Sequence, residues 1–407
     1  MARTYNEEIL DGMVRHQVGL LQYSGHVRNQ IWRLLDATES DIKAQIHKRA
    51  ARAGFDRPAR LAELERLLAS LRETRRSAWR DVRALWFEEM RNLAIAEPVF
   101  LSQVIGTAIP VVLGTTIPEA ATLREIVKSR PFMGKTLRQW SDKIEADDIA
   151  RIEDAVKIGV VQGESVPAIS RRVVGTARLK GRDGVTQITR RNAAAIVRTV
   201  SSGVASEARS TYLEANSDLA PTWLFVATLD SRTTPICRRF DGQQFPVGKG
   251  PVFPLHFGER SLGVPVIDGE VVGDRPVRNF TQRQLVREFA KREGIRAKVP
   301  RGETLNAGRD AIPRGHKGAF DAFARGRMRE LTGRTPARTS YGDWLRRQSA
   351  ANQDDILGPT RGALFRRGKL KIDKFVEVDG RELTLAELAK RHRDAFELAN
   401  LDPDRFN

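Results

Sequence analysis

The sequence predicts a mainly helical α+β protein, and three patterns carry that prediction. Apolar residues recur at three- and four-residue steps through much of the first 215 positions, the spacing of helices that bury one face. Short β-type runs bounded by Pro, Gly and Asp are read only after residue 220. Basic charge gathers in two segments and leaves the rest of the chain near neutrality. Four regions follow: long N-terminal helices over 1–160, a small α+β domain over 161–275, a basic helix and arm over 276–338, and a small C-terminal α+β module over 339–407.

In the first region Val27, Ile31, Leu34 and Leu35 share one helical face. So do Leu61, Leu64, Leu68 and Leu71, continued by Ala78, Val82 and Leu85. Gly54-Phe55-Asp56-Arg57-Pro58 separates the two runs into long helices expected to pack antiparallel. The most apolar stretch, 100–121, is interrupted by Gly106, Pro110, Gly114 and Pro118. A membrane span needs about 20 predominantly apolar residues, so the stretch reads as buried helix or turn. Helical spacing resumes over 119–127 and 137–159. Residues 176–183 form a basic turn, and 188–214 an Ala- and Arg-rich helix ended by Pro221. Residues 223–229 suit a buried strand. Asp268-Gly269 and Asp379-Gly380 are two-residue hairpin signals. Residues 294–338, rich in Gly and Arg, read as a loosely ordered arm or short helices, and 341–348 as a short amphipathic helix. Thr281 with Gln284, and Thr384 with Glu387, have capping-box spacing ahead of helices over 281–293 and 385–400.

The net charge is +18, with +7 in residues 171–209 and +10 in residues 283–347. The acidic residues expected for i,i+4 pairing are missing there, and such a surplus attracts polyanions. Charge alone leaves nucleic acid, an anionic membrane and an acidic protein open as partners. Arg171, Arg172, Arg178, Lys180, Arg190, Arg191, Arg325, Arg327 and Arg329 are the candidate DNA-binding residues. The first third is near neutral, and its Trp32, Trp79 and Trp86 suit protein–protein contact. The arm is expected to order only against a polyanion, and a chain ending near Phe280 to fold without it.

One cysteine, Cys237, excludes an intramolecular disulfide and any multi-cysteine zinc site, and it fits a reducing compartment. The N-terminus has no apolar core of a secretory signal. Residues 230–261 hold the densest set of chemically capable side chains: Asp230, Cys237, Asp241, His256 and Glu259. Their spacing matches no established zinc pattern, so no metal and no cofactor is expected. Arg238 and Arg239 beside Cys237 would favour a thiolate, but a cysteine among apolar residues is more often a buried small hydrophobe. The structural reading makes Asp230 a turn cap bridged by Arg232, starts a helix at Thr233-Thr234-Pro235, and turns the chain at Asp241-Gly242. No phosphate-loop, dinucleotide-binding, HExxH or GxSxG motif occurs, and no catalytic residue or enzymatic activity is assigned.

Thr228-Leu-Asp-Ser-Arg-Thr-Thr-Pro-Ile-Cys237, then Phe240-Asp-Gly242, then Pro254-Leu-His256-Phe-Gly-Glu-Arg260-Ser261 resembles the signature of the phage Mu F-like minor head proteins, the phage head morphogenesis family. Gln162-Gly163-Glu-Ser165, Ile169-Ser-Arg171 and Arg191–Thr199 resemble its upstream helices, and 341–365 a C-terminal module of longer members. The resemblance covers about 155–273 well and 340–400 moderately. Two departures stand out: the second cysteine of the family pattern is Glu259, and a glutamate of its helix motif is Val200. If the family's Cys, His and Cys formed a metal site or disulfide, this chain is not expected to make it. The matching Asp230, Arg232, Thr233, Pro235, Cys237, Asp241, Gly242, Pro254, His256, Arg260 and Ser261 are therefore read as fold-holding.

The resemblance implies a minor head protein inside the virion capsid, and in the host cytoplasm during assembly. It implies contact with the portal protein and other capsid or scaffold proteins, non-specific electrostatic contact with packaged DNA, and no membrane. The competing readings are an enzyme delivered with the virion, a nuclease or toxin-like transferase, and a free nucleic-acid-binding protein.

Overall fold

The structure is a computed structural model that describes residues 4–50, 57–109, 114–179, 181–267, 269, 271, 273–377 and 379–406. It is 66% helical, with a three-stranded and a two-stranded antiparallel sheet, so the mainly helical α+β expectation holds.

Helices α1 (Tyr5–Ala37), α2 (Glu39–Ala50) and α3 (Arg57–Ala108) form the N-terminal stack. The expected break between the long helices falls largely outside the described residues. A second break, at Thr38, has no strong sequence signal. Its hydroxyl donates to the Leu35 carbonyl at 2.9 Å, offering the backbone an alternative to the helical ladder. Hydrogen bonds His16–Glu97, Tyr23–Glu89 and Gln45–Thr74 run in opposite chain order, which makes α3 antiparallel to α1 and α2. Val27, Ile31, Leu68, Leu71 and Val82 are buried, whereas Leu61 is exposed. Trp79 and Trp86 are fully buried, and Trp32 is half-buried, its indole N–H donating to the Arg190 carbonyl. The expectation that these three residues present a contact surface is thus corrected, because they build the bundle interior.

Helices α4 (Ala120–Ser129), α5 (Leu137–Val161), α6 (Val166–Val174) and α7 (Thr186–Ala215) complete the bundle. Val197, Val200 and Val204 of α7 share one core with Ile31 of α1 and Trp86 of α3. Ile152 and Val156 of α5 and Val173 of α6 share another with Ile42 and Leu71. Apolar cores therefore run through position 160 without interruption. Gly203 lets α7 approach the turn at Phe132, since a Cβ there would collide with the phenyl ring. α7 ends at Ala215, ahead of Pro221, because the Asn216 side chain bonds both backbone groups of Thr116. Asp148 ties α3, α5 and α7 together. It accepts from Arg75 at 2.5 and 2.8 Å, from the Trp79 indole at 2.9 Å and from the Thr189 hydroxyl at 2.7 Å, with Asp148 and Arg75 almost wholly buried.

Strands β1 (Thr222–Val226), β2 (Gln244–Pro246) and β3 (Leu262–Val266) make the sheet β2-β1-β3, with helix α8 (Pro235–Phe240) between β1 and β2 in sequence. The sheet packs on the start of α1 through Ile9, Leu10 and Met13. The Asp268-Gly269 signal falls partly outside the described residues. The strand after it, β4 (Asp274–Arg278), belongs to the other sheet and pairs with β5 (Thr332–Pro336), Asp274 opposite Pro336.

Helices α9 (Gln282–Glu293), α10 (Leu305–Asp310) and α11 (Lys317–Glu330) fill the stretch between β4 and β5. Of the two readings for 294–338, the structure has short helices. They close on Leu285, Phe289, Ile312, Phe320 and Ala324, so order here needs no polyanion. α9 contributes Leu285, Val286 and Phe289, α11 contributes Phe320, Phe323, Ala324 and Met328, and α10 only Leu305, so the core forms when the helices are brought together. A chain ending near Phe280 would leave β4 without its partner strand β5.

The C-terminal module comprises α12 (Tyr341–Arg346), α13 (Ala350–Leu357), α14 (Pro359–Arg366), α15 (Leu385–Arg391) and α16 (Arg393–Leu398), around Trp344, Leu364, Phe365, Phe375, Leu388 and Phe396. The Thr384–Glu387 capping box forms, but the expected 385–400 helix is cut at His392, whose φ is −137°. Around Asp379-Gly380 the chain turns back antiparallel, with one bridge, Val376 to Glu382, and backbone bonds from Glu377 to Arg381 and from Leu383 to Phe375 in place of two extended strands. Phe375 is used in a 3₁₀ turn, Ile372–Phe375, so no first strand extends.

Asp148→Ala should destabilise the chain by about 3–5 kcal/mol, because it leaves a buried guanidinium, an indole N–H and a hydroxyl without their acceptor. Chemical denaturation of the full chain reads this, and a loss below about 1 kcal/mol would refute the cross-link.

Candidate functional site

The motif segment folds into two buried carboxylate centres and one mixed cluster. α8 starts at Pro235 and ends at Asp241, and Gly242, at φ +81°, turns the chain back towards β1. Gly242 N–H then donates to the Phe225 carbonyl at 2.9 Å. This turn points Asp241 inward. Its carboxylate accepts from Ala227 N–H and Tyr341 N–H, each at 2.7 Å, and from Arg275 at 2.8 and 3.1 Å. Arg275 is itself buried and also donates to the Ala227 and Thr339 carbonyls. One ion pair thus joins β1, α8, β4 and α12. The sequence reading missed Arg275. Its signal was there: in β4 the odd and even positions alternate exposed and buried, and an arginine occupies an inward one beside Val277.

Asp230 follows β1 and is buried. Arg260 grips it bidentately at 2.6 and 2.8 Å, and the Arg232 backbone N–H donates to it at 3.0 Å. The Arg232 side chain is 3.7 Å away and 41% exposed and, among the described residues, pairs with no later carboxylate, so the expected bridge is not made and Arg260 holds Asp230 instead. Bidentate geometry favours the closer guanidinium. Burial would raise the Asp230 carboxyl, but the hydrogen bonds and charge of Arg260, with the charge of Arg232, outweigh it and hold the group below its ordinary value. Thr233 Oγ1 donates to the Thr228 carbonyl, closing the turn. Tyr341 donates its hydroxyl to the Asp230 carbonyl at 3.0 Å.

Cys237, His256 and Glu259, which lie far apart in the sequence pattern, come together. The Cys237 sulfur lies 3.2 Å from His256 Nε2 and 3.1 Å from Glu259 Oε1. Pro254 follows a cis peptide at Phe253 and leads into the loop that carries His256 and Glu259. Thr199 Oγ1 accepts from Gly258 N–H at 3.0 Å and hooks this loop onto α7. Ser261 is buried at the start of β3. Arg238 turns away from the thiol to the Thr233 carbonyl and the Tyr341 ring, and Arg239 to the Asp373 and Val376 carbonyls. Burial and the charge of Glu259 push the Cys237 thiol up, so the flanking arginines do not activate it.

The candidate DNA-binding residues divide into two groups. Arg171, Arg178, Arg191, Arg325 and Arg329 are exposed and, among the described residues, stand in no ion pair. Arg190 is mostly buried and clamped by Asp36 at 2.5 Å and Glu39 at 2.6 Å. Arg172 pairs with Glu164, and Arg327 with Glu288 and Glu330. Apart from Arg327–Glu330, which is an i,i+3 pair within α11, these pairings cross between elements or loops, so the i,i+4 count that suggested free charge did not find them. Lys180 lies outside the described residues.

Arg275→Ala should cost about 3–5 kcal/mol, since it strands a buried carboxylate, whereas Arg232→Ala should cost less than about 1 kcal/mol. Equal denaturation midpoints would refute this ranking. The depressed Asp230 contributes stability that is fully present above the unfolded carboxyl value, about 3.9, and is lost as pH falls through its lower folded value. Arg260→Met should flatten that acid limb of the stability profile.

Residues 150–256 match the family model described as Phage Mu protein F like protein. No curated protein and no solved structure matches the chain. The match runs from within α5 through α6, α7, β1, α8 and β2 to His256, and so takes in both the carboxylate of Asp230 and the Asp241 turn. Over residues 150–256 the chain is accordingly similar to the phage Mu F-like family.

Proposed function

We propose that this protein is a minor head protein, incorporated inside the phage capsid during head morphogenesis. The match of residues 150–256 to the Mu F-like family carries the reading. Its partners on this reading are the portal protein and other capsid or scaffold proteins, with packaged DNA contacted by charge alone. Two observations support the DNA contact: the net charge of +18 and the five exposed, unpaired arginines at positions 171, 178, 191, 325 and 329. Phosphate neutralisation by such residues is blind to sequence and releases counterions. Among the described residues no helix is long and apolar enough to cross a membrane.

Mass spectrometry of purified procapsids and virions tests the assignment, which expects the chain in both at a low, fixed ratio to the portal protein. Absence from both particles would refute it. DNA affinity should fall with salt along a log–log slope of about −0.9 per neutralised phosphate. The triple change Arg171→Ala, Arg178→Ala, Arg191→Ala should make that slope shallower. Arg190→Ala should leave the slope unchanged and lower stability instead, and the opposite outcome would show the two arginine groups to be misassigned.

A further inference from the structure

Among the described residues five carboxylates are fully buried: Glu97, Asp148, Asp230, Asp241 and Glu259. Four have a guanidinium partner, respectively Arg209, Arg75, Arg260 and Arg275. Glu259, at 0% exposure, has none. Its partners are the Cys237 thiol at 3.1 Å, the Leu255 backbone N–H and the Ser261 hydroxyl, with the His256 ring nearby and no guanidinium among them. A buried carboxylate without a cation is the costly exception to how the rest of this molecule is built.

We propose that Cys237, His256 and Glu259 bind one divalent cation of the zinc class. The three donors, a sulfur, an imidazole nitrogen and a carboxylate oxygen, lie within 4.8 Å of one another. A tetrahedral zinc shell puts its sulfur and nitrogen donors about 3.6 Å apart, so an ion needs the observed 3.2 Å to open by only a few tenths of an ångström. His256 is already oriented for ligation. Its Nδ1 lies 3.1 Å from the Phe257 carbonyl, which can only accept, so in the neutral ring the Nε2 lone pair faces the sulfur. A thiolate and a carboxylate neutralise a dication, which supplies Glu259 with the positive partner that the other four buried carboxylates take from arginine. On binding, the thiol proton is released to solvent. Cys237 and His256 also line a cavity with room for a water as the fourth ligand, whose wall includes Arg198, Arg232 and Arg260. The mixed donor set selects zinc over magnesium or calcium, which take oxygen. The ion would pin α8 to the 255–261 loop. This inference stands on the geometry of the cluster and does not depend on the head-protein reading.

The test uses the purified full chain, stripped with chelator and then titrated with Zn²⁺ or Co²⁺. The expected result is one equivalent of zinc by elemental analysis and a thiolate-to-cobalt charge-transfer band. Glu259→Gln keeps the side-chain shape but not its charge, and should weaken binding by roughly 100-fold. Glu259→Cys should keep one equivalent and intensify the band. Cys237→Ala should abolish the band; if that variant does not fold, the unmodified chain and Glu259→Gln decide. Absence of bound metal from the folded chain, unchanged affinity in Glu259→Gln, or a thiolate band that survives Cys237→Ala would each overturn the proposal.

Discussion

Neutralisation of buried carboxylates is the constraint on which this fold depends. An ionised side chain taken out of water is tolerated only if paired and hydrogen-bonded. Asp148 meets Arg75 across α5 and α3, Glu97 meets Arg209 across α3 and α7, and Asp241 meets Arg275 across α8 and β4. Each pair joins elements distant in sequence, and further bonds come from an indole and a hydroxyl at Asp148, the His16 imidazole at Glu97 and backbone N–H groups at Asp241. Such pairs add little net stability against an apolar alternative, but breaking one is costly, so they fix which surfaces meet.

Helix α7 is the element on which these constraints converge. It contributes Val197, Val200 and Val204 to the bundle core, Tyr212 and Leu213 to the core beneath the sheet, Thr189 to Asp148 and Arg209 to Glu97. Val200 lies fully buried in this interior, where a carboxylate would need a cation of its own. The Mu F-like segment is therefore supported by the N-terminal helices through shared cores as well as through buried charge.

The same accounting explains why net charge is a poor guide to free charge. Arg75, Arg209 and Arg275 are interior parts, and Arg190 holds α7 against α1 and α2. Arg239 and Arg361 satisfy backbone carbonyls of the C-terminal module. The exposed basic side chains that stand in no salt bridge among the described residues are fewer, and they include Arg296, Arg301 and Arg314 as well as those of the 171–191 segment and α11.

The helical class, the antiparallel N-terminal pair, the start of α8 at Pro235, the turn at Asp241-Gly242 and the Thr384–Glu387 capping box are legible in the sequence, because those depend on spacings of three or four residues along one chain, whereas at Thr281 only the hydroxyl half of the expected box forms. The sequence also carried the family signature, which is a linear string. Only the tertiary structure decided that Arg260 rather than Arg232 holds Asp230, that Arg275 holds Asp241, and that Trp79 and Trp86 are interior. It alone gathered Leu285, Phe289 and Phe320 into a core, and Cys237, His256 and Glu259 into one cluster. The two ion pairs join residues 30 and 34 positions apart, Cys237 lies 19 and 22 positions from its two partners, and a buried ion pair leaves no mark on sequence beyond two charges that could equally have faced water.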